Sequence, residues 1–446
     1  MSRKTRSAVE IGGIALWFTI GVSLTAIGKS MKVKQKPGAY SALALLLAIN
    51  LFNYIDRQVL AALEPDIRDT FFAPNDPHAM TKMGLLADAF LVTYMISAPL
   101  LGWLADRFSR WMIVGCAITL WSLATGATGF AASFGALFLT RVLVGIGEGG
   151  YGPAAPTILA DLFPIEKRGR VLALFCSAIP VGSALGYILG GQIGAHYGWR
   201  WAFYLVVPPG LILALLCFCR TDPERLATRD QAASRKGIAD YLAIFRVRSF
   251  TFNTLAQAAM TFAVAGIGFW VAEYLRFRGQ PPAGAKTMFG AILVVAGLTS
   301  TLFGGWLTDK LRPKIPSADF LVSAAGMIIA CPIFAAGLYI PFPLAWVAMF
   351  LAIFCLFLNT GPSNTAIANV SLPSVRAMAF ALNIFVIHVL GDLLAFPSIG
   401  FVAGHTDIRI AFLFLTGIMC LSGVIWLAGM KFLPADAAAV EKATAA

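Results

Sequence analysis

Twelve stretches of about 20 apolar residues follow one another along this chain, each long enough to cross the hydrocarbon core of a bilayer. They lie near 39–63, 81–105, 111–131, 134–159, 171–195, 199–219, 250–275, 284–308, 319–340, 343–368, 375–402 and 409–431. In lipid only helices and closed barrels satisfy their own backbone polar groups, so segments this long read as helices. The 446 residues are 59% hydrophobic and 13% charged, a balance that excludes a soluble globular chain.

The spans are duplicated. Gly102-Trp-Leu-Ala-Asp-Arg107 closes the second, and Gly305-Trp-Leu-Thr-Asp-Lys310 closes the eighth. Asp161-Leu-Phe-Pro164 with Arg168 is echoed by Asn369-Val-Ser-Leu-Pro373 with Arg376. A repeated basic turn implies two pseudo-symmetric six-helix bundles that rock around a central cavity, which is a carrier's architecture. The boundaries read as an N-terminal segment 1–36, a first bundle 37–219, a linker 220–249, a second bundle 250–433 and a tail 434–446.

The net charge of +12 invites a nucleic-acid partner, but its distribution argues otherwise. Lys and Arg in the inter-span loops favour one side by about three to one, the positive-inside pattern. That places both termini in the cytoplasm and the chain in a plasma membrane, a bacterial inner membrane being the expected one. Glu64, Asp66, Asp69 and Asp76 fall on the outer side. The run 11–28 is apolar too, but spanning would put Arg3, Lys4 and Arg6 outside. It reads as an interfacial helix, or as sequence upstream of a start at Met31. A short amphipathic helix is expected near 237–246. Span 5 carries Pro180, Gly182, Gly186 and Gly190-Gly191, a small-residue face that suits either packing or a sliding contact between the halves.

No Cys or His spacing suits a metal, no Ser/His/Asp arrangement suits an enzyme, and no Walker motif supplies ATP. Neither an enzyme nor a cofactor is expected, which leaves an ion gradient as the energy source.

Several motifs resemble the major facilitator superfamily. Gly102 to Arg110 is similar to its loop 2–3 signature, departing at Ser109 and Trp111, and Arg141-Val-Leu-Val-Gly-Ile-Gly-Glu148 is similar to its span-4 signature. Asn53-Tyr-Ile-Asp-Arg57 and His388-Val-Leu-Gly-Asp392 resemble the spinster branch, whose animal members move lysophospholipids and sphingosine phosphate. The resemblance covers residues 37–431. It implies that Asp106, Arg107, Arg110 and Asp309 latch the halves when the inner side closes.

A charge at the bilayer centre costs ~3 kcal/mol or more, so ionisable residues inside the spans are candidates for function. These are Asp56 and Arg57 in span 1, Asp88 in span 2, Arg141 and Glu148 in span 4, and His388 and Asp392 in span 11. If span 1 ends at Leu63, Asp56 shares a level with Arg141, and an outer charge layer of Asp56, Asp88 and Arg141 follows. Glu148 lies two turns deeper without an adjacent fixed cation, which suits proton coupling. His388 and Asp392, four apart, form a second pair able to hold a proton, and Asp56 is a third candidate. Arg57, Arg141, Asn359 and Asn383 are the candidate substrate ligands. Span 10 has no counterpart of Arg141 or Glu148, so one cavity wall is charged and the other mainly apolar.

The reading is a proton-coupled transporter of an amphipathic anion, a lysophospholipid or sphingoid phosphate, working as a monomer among membrane lipids. The alternative is a proton-coupled symporter of small organic anions. Neither involves nucleic acid.

Overall fold

The computed structural model describes residues 38–74, 76–222, 244–372 and 375–445. The run 11–28 and residues 237–243 of the helix expected near 237–246 lie outside the described residues.

The first half is built from α1 (Ala39–Phe71), α2 (Ala79–Ala105), α3 (Arg110–Gly129), α4 (Phe134–Glu148), α5 (Tyr151–Leu162), α6 (Ile165–Tyr197) and α7 (Trp199–Phe218). The second half holds α8 (Arg248–Phe277), α9 (Pro282–Leu311), α10 (Ala318–Gly337), α11 (Leu344–Phe357) and α12 (Thr360–Asn369). It continues through α13 (Arg376–Ile387), a π turn (His388–Asp392), α14 (Leu393–His405) and α15 (Ile408–Gly429), and α16 (Leu433–Ala445) follows. Among the described residues eleven stretches are long and apolar enough to cross a membrane. The twelfth expected span is α4 with α5, interrupted at Gly149 and Gly150. Both glycines keep right-handed helical dihedrals, so the chain continues in the same sense.

Polar residues start the helices where the sequence offers them. The Ser133 hydroxyl accepts from the Ala136 amide at 3.2 Å, and Asp407 accepts from Ile410 at 2.9 Å. α3 is capped from a distance: Asp222, after α7, accepts from the Arg110 and Trp111 amides at 2.7 and 3.0 Å.

The duplication is visible in the packing. α3 packs on α7 as α10 packs on α15, and α2 on α4 as α9 packs on α11. Among the described residues the main contacts between the halves are α1 with α8, α6 with α9, and α2 with α14. Their contacts gather at the end where α1, α8 and α14 finish. There the chain is nearly backbone to backbone. A Cβ on Gly84 would lie 2.5 Å from the Phe396 carbonyl oxygen, and one on Gly400 would lie 2.5 Å from that of Met80.

Span 5 departs from one of its expected uses. Gly182, Gly186 and Gly190 of α6 face α1 of their own half, close to Leu51, Ile55 and Ala62. The face that meets the other half carries Gly191, against the Lys286 side chain. The glycine row is a packing face because α1, also long and mostly apolar, is its nearest neighbour in the bundle.

Candidate functional site

Between the halves lies a cavity of about 440 Å³, within the range typical of small-molecule sites. Its first-half wall includes Asp56, Arg57, Gln58, Arg141, Glu148 and Ser183. Its second-half wall is mainly apolar, from Val264, Phe269, Phe289, Leu293, Ile353 and Phe357, with His388 and Asp392 as its ionisable members. The expected asymmetry is present.

The depth argument needs correction. α1 does not stop at Leu63: it runs on through Pro65 to Phe71, because the charged turn Glu64 to Asp69 finds partners across the halves. Arg57 therefore sits as many residues from Phe71 as Glu148 sits from Phe134, about 21 Å at 1.5 Å per residue. They meet. Arg57 Nη2 lies 2.6 Å from Glu148 Oε2, and Arg57 Nε donates to the same oxygen at 2.6 Å. Glu148 is thus not a carboxylate without a fixed cation. Sequence periodicity within one helix could not reveal a partner on another.

The Arg57 guanidinium is also enclosed by aromatic rings, with Phe90, Tyr94 and Tyr54 centroids at 4.8, 5.1 and 5.2 Å. Cation–π attraction of this kind holds the group where it can face the cavity. Its side chain is 25% exposed while that of Glu148 is fully buried. Phe90 and Tyr94, one turn apart on α2, were the overlooked signal.

The expected outer charge layer is rearranged. Asp56 and Arg141 both line the cavity, but they are not within ion-pair distance. Asp56 accepts from the Thr125 hydroxyl at 2.5 Å, and Arg141 donates to the Thr128 hydroxyl at 2.5 Å. These threonines sit one turn apart on α3, and each satisfies one member of the pair. Asp88 is not beside Arg141. Its electrostatic neighbour is Asp392 of the other half, because α2 turns this face toward α14. His388 and Asp392 are joined as expected, Nδ1 to Oδ2 at 2.5 Å, on the π turn.

Two expected ligands lie elsewhere. Asn359 is buried and donates to the Leu356 carbonyl at 2.5 Å. Asn383, also buried, accepts from Thr254 at 2.8 Å and donates to Gln257 at 3.3 Å. Neither lines the cavity: Asn359 bonds back to the chain three residues before it, and Asn383 is turned to the side chains of α8.

Arg107, Arg110 and Asp309 each have a partner within their own half. Arg110 Nη1 pairs with Asp161 at 2.6 Å, and Arg107 lies 3.8 Å over the Trp103 ring. Asp309 pairs with Arg312 at 3.0 Å, one turn along. Asp106 closes α2, its amide donating to the Gly102 carbonyl. Cross-half ion pairs occur at the opposite end, where Arg68 meets Glu273 at 2.6 Å, Asp69 meets Arg276 at 2.5 Å and Asp66 meets Lys286 at 3.2 Å. Glu64 is fully buried beside Arg68 at 3.5 Å. The cavity is thus closed at the ion-pair end. The sequence signal was the opposite charges at the ends of spans 1, 7 and 8.

The sequence profile of the Major Facilitator Superfamily matches residues 46–391. Protein spinster homolog 3 of Danio rerio is 35% identical over 379 residues, covering 79% of this chain and 74% of its own length. The sphingosine-1-phosphate transporter SPNS2 of Mus musculus is 33% identical, covering 90% and 78%. Among solved structures, a bacterial homolog of the human lysosomal transporter spinster superposes with a TM-score of 0.80 at 21% identity. It covers 90% of this chain and 99% of its own, and it was captured inward-facing and unoccupied.

Proposed function

This chain belongs to the major facilitator superfamily and, within it, to the spinster family, and from that premise we propose that it carries a single-chain anionic lipid by proton-coupled alternating access. It is a multi-pass membrane transporter, not an enzyme. The substrate class we assign is a lysophospholipid or sphingoid phosphate.

The observation that carries this reading is the contrast between the walls. Arg57 and Arg141 supply cations on one side, and the other half contributes the apolar side chains of Val264, Phe269, Phe289, Leu293, Ile353 and Phe357. An anionic head held by the arginines leaves its chain against that surface, where each buried methylene contributes ~0.8 kcal/mol. A small carboxylate would gain nothing there.

Proton coupling follows from competition for Arg57. Glu148 already neutralises it, so an anionic head group can take Arg57 only if Glu148 gives it up. Protonating Glu148 at that moment avoids stranding a buried charge. The substrate anion and the proton then enter together. Arg141, bonded to Thr128 and two turns from Glu148 on the same helix, is the second cation offered to the head group. By the positive-inside rule the end bearing Arg107, Arg110 and Lys310 faces the cytoplasm, so both termini are cytoplasmic and the cavity closes on the outer side. The latch assigned to Asp106, Arg107, Arg110 and Asp309 would form in the opposite state.

Binding to purified protein across a homologous series of lysophosphates tests the reading. Affinity should rise about fourfold per methylene until the wall is covered. Affinity independent of chain length, with competition by small dicarboxylates, would replace it by the organic-anion symporter. Transport by Glu148→Gln should lose gradient-driven accumulation while binding persists.

A further inference from the structure

The contact between α2 and α14 runs in a regular antiparallel register. Gly404 touches the Pro77 carbonyl, Gly400 that of Met80 and Gly84 that of Phe396. Each step moves about one helical turn inward along both helices, and the next step sets Asp88 opposite Asp392. The register therefore brings the two carboxylates to one level on facing elements of the two halves. Asp88 is 8% exposed, and its Oδ1 has no hydrogen-bond partner. Asp392 and His388 line the cavity, whereas Asp88 lies behind them.

We propose that Asp88 and Asp392 form one proton site shared between the two halves, filled when the ion-pair end is closed and emptied when it opens. The proposal deepens the proton-coupled reading above and rests on it. It names a second site, separate from Arg57 and Glu148, whose occupancy follows conformation rather than substrate.

The argument is electrostatic. Asp88 is buried with one oxygen unpartnered, and two carboxylates facing each other across a closed seam repel when both are ionised, so one proton shared between them relieves that repulsion. Other charged groups on the surrounding helices are already engaged. On α4, Arg141 is bonded to Thr128 and Glu148 to Arg57; on α1, Asp56 is bonded to Thr125. On α3 and α5, Arg110 pairs with Asp161 at the basic end, and the Tyr151 hydroxyl donates to the Leu46 carbonyl. On α8, Glu273 and Arg276 belong to the cross-half network, and on α14 His405 lies beside His78 at the closed end. Among the described residues no cation reaches Asp88 within ion-pair distance.

His388 completes the site. Its Nδ1 meets Asp392, and its ring, a third exposed, faces the cavity. It can pass the proton between the cavity and the pair. The π turn sets this geometry, and Gly391 within it lets the turn sit against α8, where a Cβ would lie 2.9 Å from Thr261. When the halves part at this end, α2 and α14 separate, water reaches both carboxylates and the shared proton leaves. The closed end therefore binds one more proton than the open end. Acid favours closure, and rising pH favours opening.

Spin labels at Ala73→Cys and Gln280→Cys, in cysteine-free protein in nanodiscs without substrate, report this end by electron–electron distance. The long-distance fraction of otherwise unmodified protein should grow as pH rises. Asp88→Asn and Asp392→Asn should each hold the short distance at every pH, and Asp88→Glu should restore the response. His388→Gln should slow the pH-jump relaxation while leaving its endpoint on the Asp88–Asp392 pair. Ordinary pH response in Asp88→Asn, or none in the parent, overturns the shared site. Lysophosphate binding measured on the same samples reads the substrate assignment separately: retained binding with lost pH response supports the shared site, and lost binding with retained response refutes it.

Discussion

The two walls of the cavity descend from one duplicated unit yet carry different chemistry. Span 4 brings Arg141 and Glu148 to one wall, and span 10, built the same way and packed on equivalent neighbours, brings Ile353 and Phe357 to the other. The charged wall can be fixed because its partners come from several helices: α1 supplies Arg57, α2 its aromatic cage and α3 two threonines. The apolar wall needs no such support, since burying hydrocarbon demands shape rather than pairing. Duplication supplied the scaffold, and divergence of one copy created a surface suited to amphipathic cargo.

The largest effect should come from unpairing the charged wall. Glu148→Ala strands Arg57, a change that costs about 3–5 kcal/mol when a buried pair loses one member. Thermal unfolding of purified protein should fall sharply and transport should vanish. The double variant Arg57→Leu with Glu148→Leu should recover stability without recovering transport. Equal instability of single and double variants would mean that the pair does not define this wall.

Next comes the seam on which both walls rock. A methyl group at Gly84 would fall 2.5 Å from the Phe396 carbonyl oxygen, which is backbone and cannot swing aside. Gly84→Ala should cost about 1–3 kcal/mol by overpacking. We expect spin labels across the ion-pair end to report a wider separation, with transport reduced at least tenfold. Wild-type transport by this variant would show that the seam is looser than its contacts indicate.

The apolar wall should give a smaller, selective effect. Leu293→Ala removes hydrocarbon worth about 1.5–3 kcal/mol when fully buried, part of which a lipid chain covers. Long-chain lysophosphates should lose several-fold in affinity and short-chain ones almost nothing. Equal losses at both lengths would sever the wall from the tail.

The smallest effect belongs to the basic end. Asp309 and Arg312 form a pair with side chains 73% and 38% exposed. Asp309→Asn should change unfolding stability by less than about 1 kcal/mol. A clear loss of transport at unchanged stability would then report the latch in the opposite state.

Much of this was legible in the chain. Span count, duplication, the asymmetry of the walls and the His388–Asp392 pair all follow from periodicity, because each concerns residues close together on one helix or repeated at a fixed offset. The depth of Asp56 was misjudged for a physical reason. An apolar pattern ends at the first charged turn, but a helix continues wherever that turn is paired, and Asp66, Arg68 and Asp69 found Lys286, Glu273 and Arg276. Asn359 and Asn383 failed as cavity ligands because a polar residue in a span can equally well face a neighbouring helix.

Sequence alone determined that the chain is a twelve-span duplicated carrier with acid and base placed within spans 1, 2, 4 and 11, since those features depend on composition and spacing. Only the tertiary structure decided which charges meet. Arg57 with Glu148, Asp56 with Thr125 and Asp88 opposite Asp392 join helices far apart in the chain. Their pairing depends on the rotation and axial register of packed helices. Those are set by the sum of many side-chain contacts and by glycines that admit a neighbouring backbone, quantities that no single helix encodes.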